Sequence, residues 1–245
     1  MLPGFTTNLG ARLLTGGGGN LGNVPASPIN ILVAGNESVP YGTNLGTKLV
    51  DLSSALGWPT VTYTNVTTPG DFVTTYSAAA WDVVIGWTDY GPGANTYATI
   101  NNFLAAGKGV IFLMFGHDGG YTFSSFTNGL TDVLISSSGG SVFFSSAQTV
   151  TDSTNHPILY QVTGVAANQL YANNGFLPQN SATLLGTWSG GYKAVMYKNP
   201  NVGFSRRVDI NMWPGGNWAQ LAGDGNTQAV RILLNACFWS ARKTG

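Results

Sequence analysis

Apolar residues along this chain fall into short blocks whose spacing alternates between strand and helix. Ile29 to Ala34 is an apolar run of strand length that stops at Gly35. Thr43 to Leu56 then sets Leu45, Leu49, Leu52 and Leu56 on one helical face, closed by Gly57. Thr60 to Thr64 alternates as a strand does. Pro69 to Ala80 predicts a helix that starts near Pro69-Gly70-Asp71, and Asp82 to Trp87 predicts a third strand. Tyr97 to Ala106 turns Ile100, Phe103 and Leu104 inward and stops at Gly107. Val110 to Phe115 is apolar throughout, as a central parallel strand buried on both faces should be. Strands that alternate with helices predict a mainly parallel sheet with helices on both faces.

Past Gly116 the rhythm breaks. Residues from 119 to about 190 are rich in Ser, Thr, Asn and Gly, with β-like runs at Val142 to Phe144, Ile158 to Val162 and Thr183 to Trp188. This reads as an inserted antiparallel β region or as edge β structure, with long loops. Lys193 to Tyr197 and Arg207 to Met212 predict an antiparallel pair. A closing helix from Asn226 to Arg242 buries the stripe Val230, Leu233, Leu234, Cys237 and Phe238. Residues 1–27, with Gly16-Gly17-Gly18-Gly19 and Pro25, read as an arm ahead of a single domain over 28–245. No internal repeat of roughly 20 to 50 residues is visible.

Composition changes the picture in one respect. Only 8% of the residues are charged, about a third of the usual share, and ten cations balance ten carboxylates. A protein that grips phosphate backbones needs a positive excess, so nucleic acid is excluded as a partner class. Gly, Ser, Thr and Asn supply the polarity instead. Neutral polar groups lose less on desolvation than charges do, which suits surfaces that bury against neighbouring subunits. The apolar runs are too short to span a bilayer. The first residues lack a basic start followed by an apolar run, so no signal peptide is expected and synthesis is expected in a cytoplasm. One cysteine, Cys237, permits no intrachain disulfide, and two histidines with that cysteine are a poor supply of metal ligands. No metal and no cofactor are expected.

The blocks Trp81-Asp82-Val83-Val84-Ile85, the helix ending in Ala106-Gly107-Lys108-Gly109, and Val110-Ile111-Phe112-Leu113-Met114-Phe115-Gly116-His117 carry a resemblance. So do Val208-Asp209-Ile210-Asn211-Met212-Trp213-Pro214, the helix ending Leu234-Asn235-Ala236-Cys237-Phe238-Trp239, and the turn Asn155-His156-Pro157-Ile158-Leu159. In order and spacing the chain from about 29 to 243 resembles the class I glutamine amidotransferase-like superfamily, in its trehalose-utilisation-like branch. The resemblance implies a three-layer, flavodoxin-like α/β domain. It also implies a Cys on a nucleophile elbow after the fourth strand and a His in a His-Pro-Glu motif after the closing strand.

Carried over residue by residue, Met114 stands at the Cys position, Phe112 and Gly116 at the flanking Gly positions, Trp213 at the His position and Gly215 at the Glu position. A thioether has no proton to lose, and an indole offers only an N–H donor. The resemblance therefore implies a fold without its catalytic couple. His117 and Asp118 follow the fourth strand and are the alternative catalytic residues, as base or ligand of a divergent hydrolase. Trp87, Tyr90, Trp213 and Trp218 are candidate binding residues, offering aromatic faces to a glycan or a protein neighbour, or filling the vacated pocket as core. His156, next to Pro157, is expected to order a turn.

Two functions are then in view. One is a non-catalytic structural or interaction subunit of a bacteriophage virion, either a capsid decoration protein or a tail or fibre component. It would be joined to other subunits through the N-terminal arm, with a homo-oligomer as a further option. The other is a divergent hydrolase or carbohydrate-binding protein using the cleft near His117 and Trp213.

Overall fold

The computed structural model describes residues 25–34, 41–66, 68–78, 80–87, 94–113, 135–137, 141–143, 146–151, 155–165, 171–173, 176–178, 181–198, 206–212 and 227–242. Its first half is a run of β and α units: β1 (Ile29–Ala34), α1 (Tyr41–Ala55), β2 (Val61–Val66), α2 (Pro69–Ala78), β3 (Val83–Trp87), α3 (Ala94–Ala105) and β4 (Gly109–Leu113). Among the described residues seven strands follow, with no helix between them longer than a 3-10 turn: β5 (Ile135–Ser137), β6 (Ser141–Phe143), β7 (Gln148–Thr151), β8 (Gly164–Val165), β9 (Tyr171–Asn173), β10 (Phe176–Pro178) and β11 (Thr183–Trp188). β12 (Lys193–Lys198), β13 (Arg207–Ile210) and α4 (Thr227–Ser240) close the chain.

Nine strands form one sheet in the order β2-β1-β3-β4-β13-β12-β11-β7-β8. From β2 to β13 every pairing is parallel; from β13 to β8 every pairing is antiparallel. The expected mainly parallel sheet is therefore evenly mixed. The reason is that β7, β8 and β11, from the stretch expected as inserted or edge β structure, extend the main sheet at its edge by antiparallel pairing. Among the described strands, β5 with β10 and β6 with β9 make small sheets of their own.

Local chemistry sets the helix ends. The α1 and α3 helices both finish on a glycine with positive φ, Gly57 at 65° and Gly107 at 71°. Trp58 N–H and Lys108 N–H reach back to Ser53 O and Phe103 O, the closing bonds of a Schellman turn. At the start of α2, Thr68 Oγ1 accepts from Asp71 N–H at 3.1 Å, an N-cap, and its hydroxyl donates to the Asp71 carboxylate at 2.8 Å.

The alternation of the parallel strands divides the core. Ile29, Ile31 and Val33, with Val83, Ile85, Ile111 and Leu113, pack in a cluster shared with Leu45 and Leu49 of α1 and with α4. Leu32, Ala34, Val84, Val110 and Phe112 pack in a second cluster with Phe72 of α2 and with Ile100, Phe103 and Leu104 of α3.

Two further expectations are corrected. Ile158 to Val162 is not a strand: Pro157–Leu159 is a 3-10 turn, because Pro157 fixes φ at its first position and His156 caps it. And α4 is buried all round from Ala229 to Ser240, not along one stripe. Its outer face is covered by the segment 155–165. Asn235 Nδ2 donates to Ile158 O (3.1 Å) and Tyr160 O (2.9 Å), and the Arg231 guanidinium lies 4.8 Å from the Trp58 ring centre.

Candidate functional site

The carboxyl ends of β1, β3, β4 and β13 lie side by side. Ala34 pairs with Gly86, Trp87 with Leu113, and Leu113 with Ile210. Ligands of open α/β sheets gather at this edge.

Beneath it runs a set of close contacts. A Cβ on Gly86 would stand 3.1 Å from the Phe112 ring, so the glycine makes room for the aromatic side chain. That ring in turn carries the Arg207 guanidinium 4.7 Å above its centre. Arg207 grips Asp209 through two bonds, Nε to Oδ1 at 2.8 Å and Nη2 to Oδ2 at 2.9 Å, with both side chains fully buried. Two residues on, Asn211 pins the end of β13. Its Nδ2 donates to Lys193 O (2.7 Å), its N–H to Ala194 O (2.8 Å), and its own carbonyl accepts from Trp188 Nε1 (3.1 Å). Met212 N–H then bonds Ile210 O at 2.9 Å, a tight turn that ends the strand.

Of the candidates from the sequence, Met114, Gly116, His117, Asp118, Tyr90, Trp213, Gly215 and Trp218 lie outside the described residues. Trp87 is the last residue of β3 and pairs through its backbone with Leu113; its side chain is also outside the description. The strands that lead to positions 114 and 213 are neighbours, and Leu113 and Met212 immediately precede those positions.

Phe112 is core. Cys237 is fully buried, and burial pushes its thiol well above the ordinary range, so it offers no nucleophile. Among the described residues no group of three His, Cys, Asp or Glu side chains converges for a metal.

His156 lies at the other end of the sheet. Its Nδ1 accepts from Ile158 N–H at 3.2 Å, and its ring packs 4.4 Å from Tyr197 and 5.1 Å from Trp239. It orders a turn, as expected. Beside it Arg206 stacks on Trp239 (4.7 Å) and donates to Trp239 O (2.7 Å), supplying a cation to the carboxyl end of α4. Burial, and then repulsion from Arg242, pull this guanidinium below its usual value.

Sequence reasoning missed the polar row Arg207, Asp209 and Asn211. The signal was available: charged residues two apart on a strand, in a chain with few charges. Alternation of this kind ordinarily marks a solvent-facing side, and here it marks a buried one.

No protein-family model matches the chain, and no curated protein matches it in sequence. Solved structures do match. A ThuA-like protein of Parabacteroides merdae aligns with a TM-score of 0.55 and 13% identity, over 87% of this chain and 90% of its own. A ThuA-like protein of Bacteroides uniformis gives 0.55 and 14%, over 86% and 90%. At such identities the likeness is one of fold: an α/β domain with a large mixed sheet, similar to the class I glutamine amidotransferase-like build.

Proposed function

We propose that this protein is a non-catalytic structural or interaction subunit on a retired amidotransferase-like fold, and that its assembly is a bacteriophage virion, as capsid decoration or as a tail or fibre component. One observation carries the loss of catalysis. The strands β4 and β13 pair in parallel with Leu113 beside Ile210, and the positions just beyond them hold Met114 and Trp213. Nucleophile and base would have to cooperate there, and a thioether and an indole cannot exchange the proton that acyl transfer requires. The same proposal takes the fold as three-layer and flavodoxin-like; the two separate cores, one with α1 and α4 and one with α2 and α3, support it.

The virion assignment is supported by composition: few charges, zero net charge, and a Gly-rich segment ahead of β1 suited to reaching a neighbour. Trp87, Tyr90, Trp213 and Trp218 would serve as apolar anchors in that role.

The test is turnover by the full chain across amide, ester and glycoside substrates, with His117→Ala in parallel. No turnover in either chain is the expected result. Activity that disappears in His117→Ala overturns the proposal in favour of a divergent hydrolase. Glycan binding lost in Trp87→Ala or Trp213→Ala would turn it toward a carbohydrate-binding protein. Deleting residues 1–25 is expected to abolish incorporation into the assembly while the domain stays folded; full incorporation refutes the role of the arm.

A further inference from the structure

The two ends of the nine-stranded sheet differ. At one end stands β8, Gly164–Val165, a strand of two residues and too short to template another. At the other end stands β2, Val-Thr-Tyr-Thr-Asn-Val over six residues, whose ladder bonds go to β1. On its outer side no described strand pairs with it. Natural sheets protect such an edge with Lys, Pro, a bulge or brevity. None of these occurs in β2: it holds no charge and no proline, and its register with β1 runs unbroken from Ile29↔Val61 to Ala34↔Val66. Five of its six residues are β-branched or aromatic, the types that favour strand pairing.

The occupant that fits this edge is a second copy of the same strand. Antiparallel pairing about Tyr63 sets Tyr63 against its own symmetry mate, Thr62 against Thr64 of the second copy, and Val61 against its Asn65. Opposed residues then share a face in both copies, as a continuous sheet requires. Tyr–Tyr and Thr–Thr are favourable cross-strand pairs, and no like charges meet. The Tyr63 ring is fixed against α1: it lies on Gly46, where a Cβ would overlap it, and its hydroxyl bonds Thr47 Oγ1 at 3.0 Å. Thr62 and Thr64 are exposed on the other face.

We infer that β2 is a homodimer seam, joining two copies edge to edge about a two-fold axis at Tyr63 into one continuous sheet. The inference rests on the sheet edge alone and goes beyond the proposed function, because a catalytic chain could carry the same seam.

The full chain is weighed by sedimentation across the micromolar range, together with two variants whose folding is checked by circular dichroism. The parent is expected at twice the 25.6 kDa chain mass. T62K/T64K sets two lysine pairs against each other across the axis and should weaken the dimer about tenfold or more. T62K/T64D sets Lys against Asp in the register about Tyr63 and should restore it. Both sites are exposed, so either variant should fold. A monomeric parent leaves the edge to a strand of another protein or to none, and overturns the seam. So does a dimer that T62K/T64K leaves unchanged. Weakening by both variants alike overturns the register about Tyr63.

Discussion

Removing the Asp209 carboxylate tests the energetics of the polar row on β13. Two opposite charges about 4 Å apart attract by roughly 4 kcal/mol at an effective dielectric of about 20. Taking each ion out of water costs several kcal/mol, so the intact pair adds little net stability. Breaking it is another matter. Asp209→Asn keeps the shape but takes away the carboxylate charge that the fully buried Arg207 guanidinium grips through two bonds. The contact with the Phe112 ring, worth about 2 kcal/mol when desolvated, persists and does not replace the carboxylate. The expected loss is about 3–5 kcal/mol. In a domain of this size, melting falls by roughly 2–4 °C for each kcal/mol. R207M/D209L removes both charges and should lie near the parent or above it in stability. Urea unfolding followed by linear extrapolation measures all three chains. If Asp209→Asn lies within about 1 kcal/mol of the parent, the carboxylate is not what holds the guanidinium and the reasoning fails.

Three further outcomes are expected. Cys237 should resist alkylation in the folded chain and react only as urea unfolds it, because burial holds its thiol protonated. The fold retains that proton while the unfolded thiol loses it near pH 8.5. Stability from this group is therefore complete below that pH and falls as pH rises, by at most about 1.4 kcal/mol per pH unit, a slope that Cys237→Ala should remove. Gly46→Ala should destabilise by about 1–3 kcal/mol in urea melts, although alanine favours a helix, because its Cβ would overlap the Tyr63 ring. Asn235→Ala strips donors from the carbonyls of Ile158 and Tyr160, should cost about 1–3 kcal/mol, and should speed amide exchange across 155–165.

The parts of the fold that could be read from the sequence are those where one physical rule acts alone. β1 and β11 occupy the expected residues, and β4 and α3 shift at their ends by a few. In these elements burial demands a continuous apolar run or a single apolar face, and glycine marks the stop. Reading failed where tertiary context reassigns a pattern. The segment from Ile158 looks like a strand until Pro157 and the His156 cap are weighed together. Arg231 and Asn235 look like the wet side of α4 until Gln161, Ile158 and Tyr160 are brought over them. Nothing local in β7, β8 or β11 says that they join the main sheet, since strand partners are chosen across the chain. At the candidate site, the resemblance led to the two strands that are in fact neighbours, while the buried support under their tips was hidden by its own polarity.

That support sits at a particular place in the topology. Among the described strands β13 is the one with a parallel neighbour on one side, β4, and an antiparallel neighbour on the other, β12. Its residues alternate between two environments: Val208, Ile210 and Met212 enter the core shared with α1 and α4, while Arg207, Asp209 and Asn211 are buried on the opposite face. Slipping β13 by one residue against β4 would drive a guanidinium and a carboxylate into the apolar core and bring valine and isoleucine to the polar side. An all-apolar strand would offer no such penalty, because both faces would accept either set. A buried ion pair that adds little net stability can thus still select one register, at the seam where the sheet changes from parallel to antiparallel pairing. R207M/D209L separates these two roles. It should match the parent in urea, yet show broadened or doubled amide resonances for β13 and its partners in β4 and β12. A single sharp set of parental shifts would assign register to the flanking apolar residues instead.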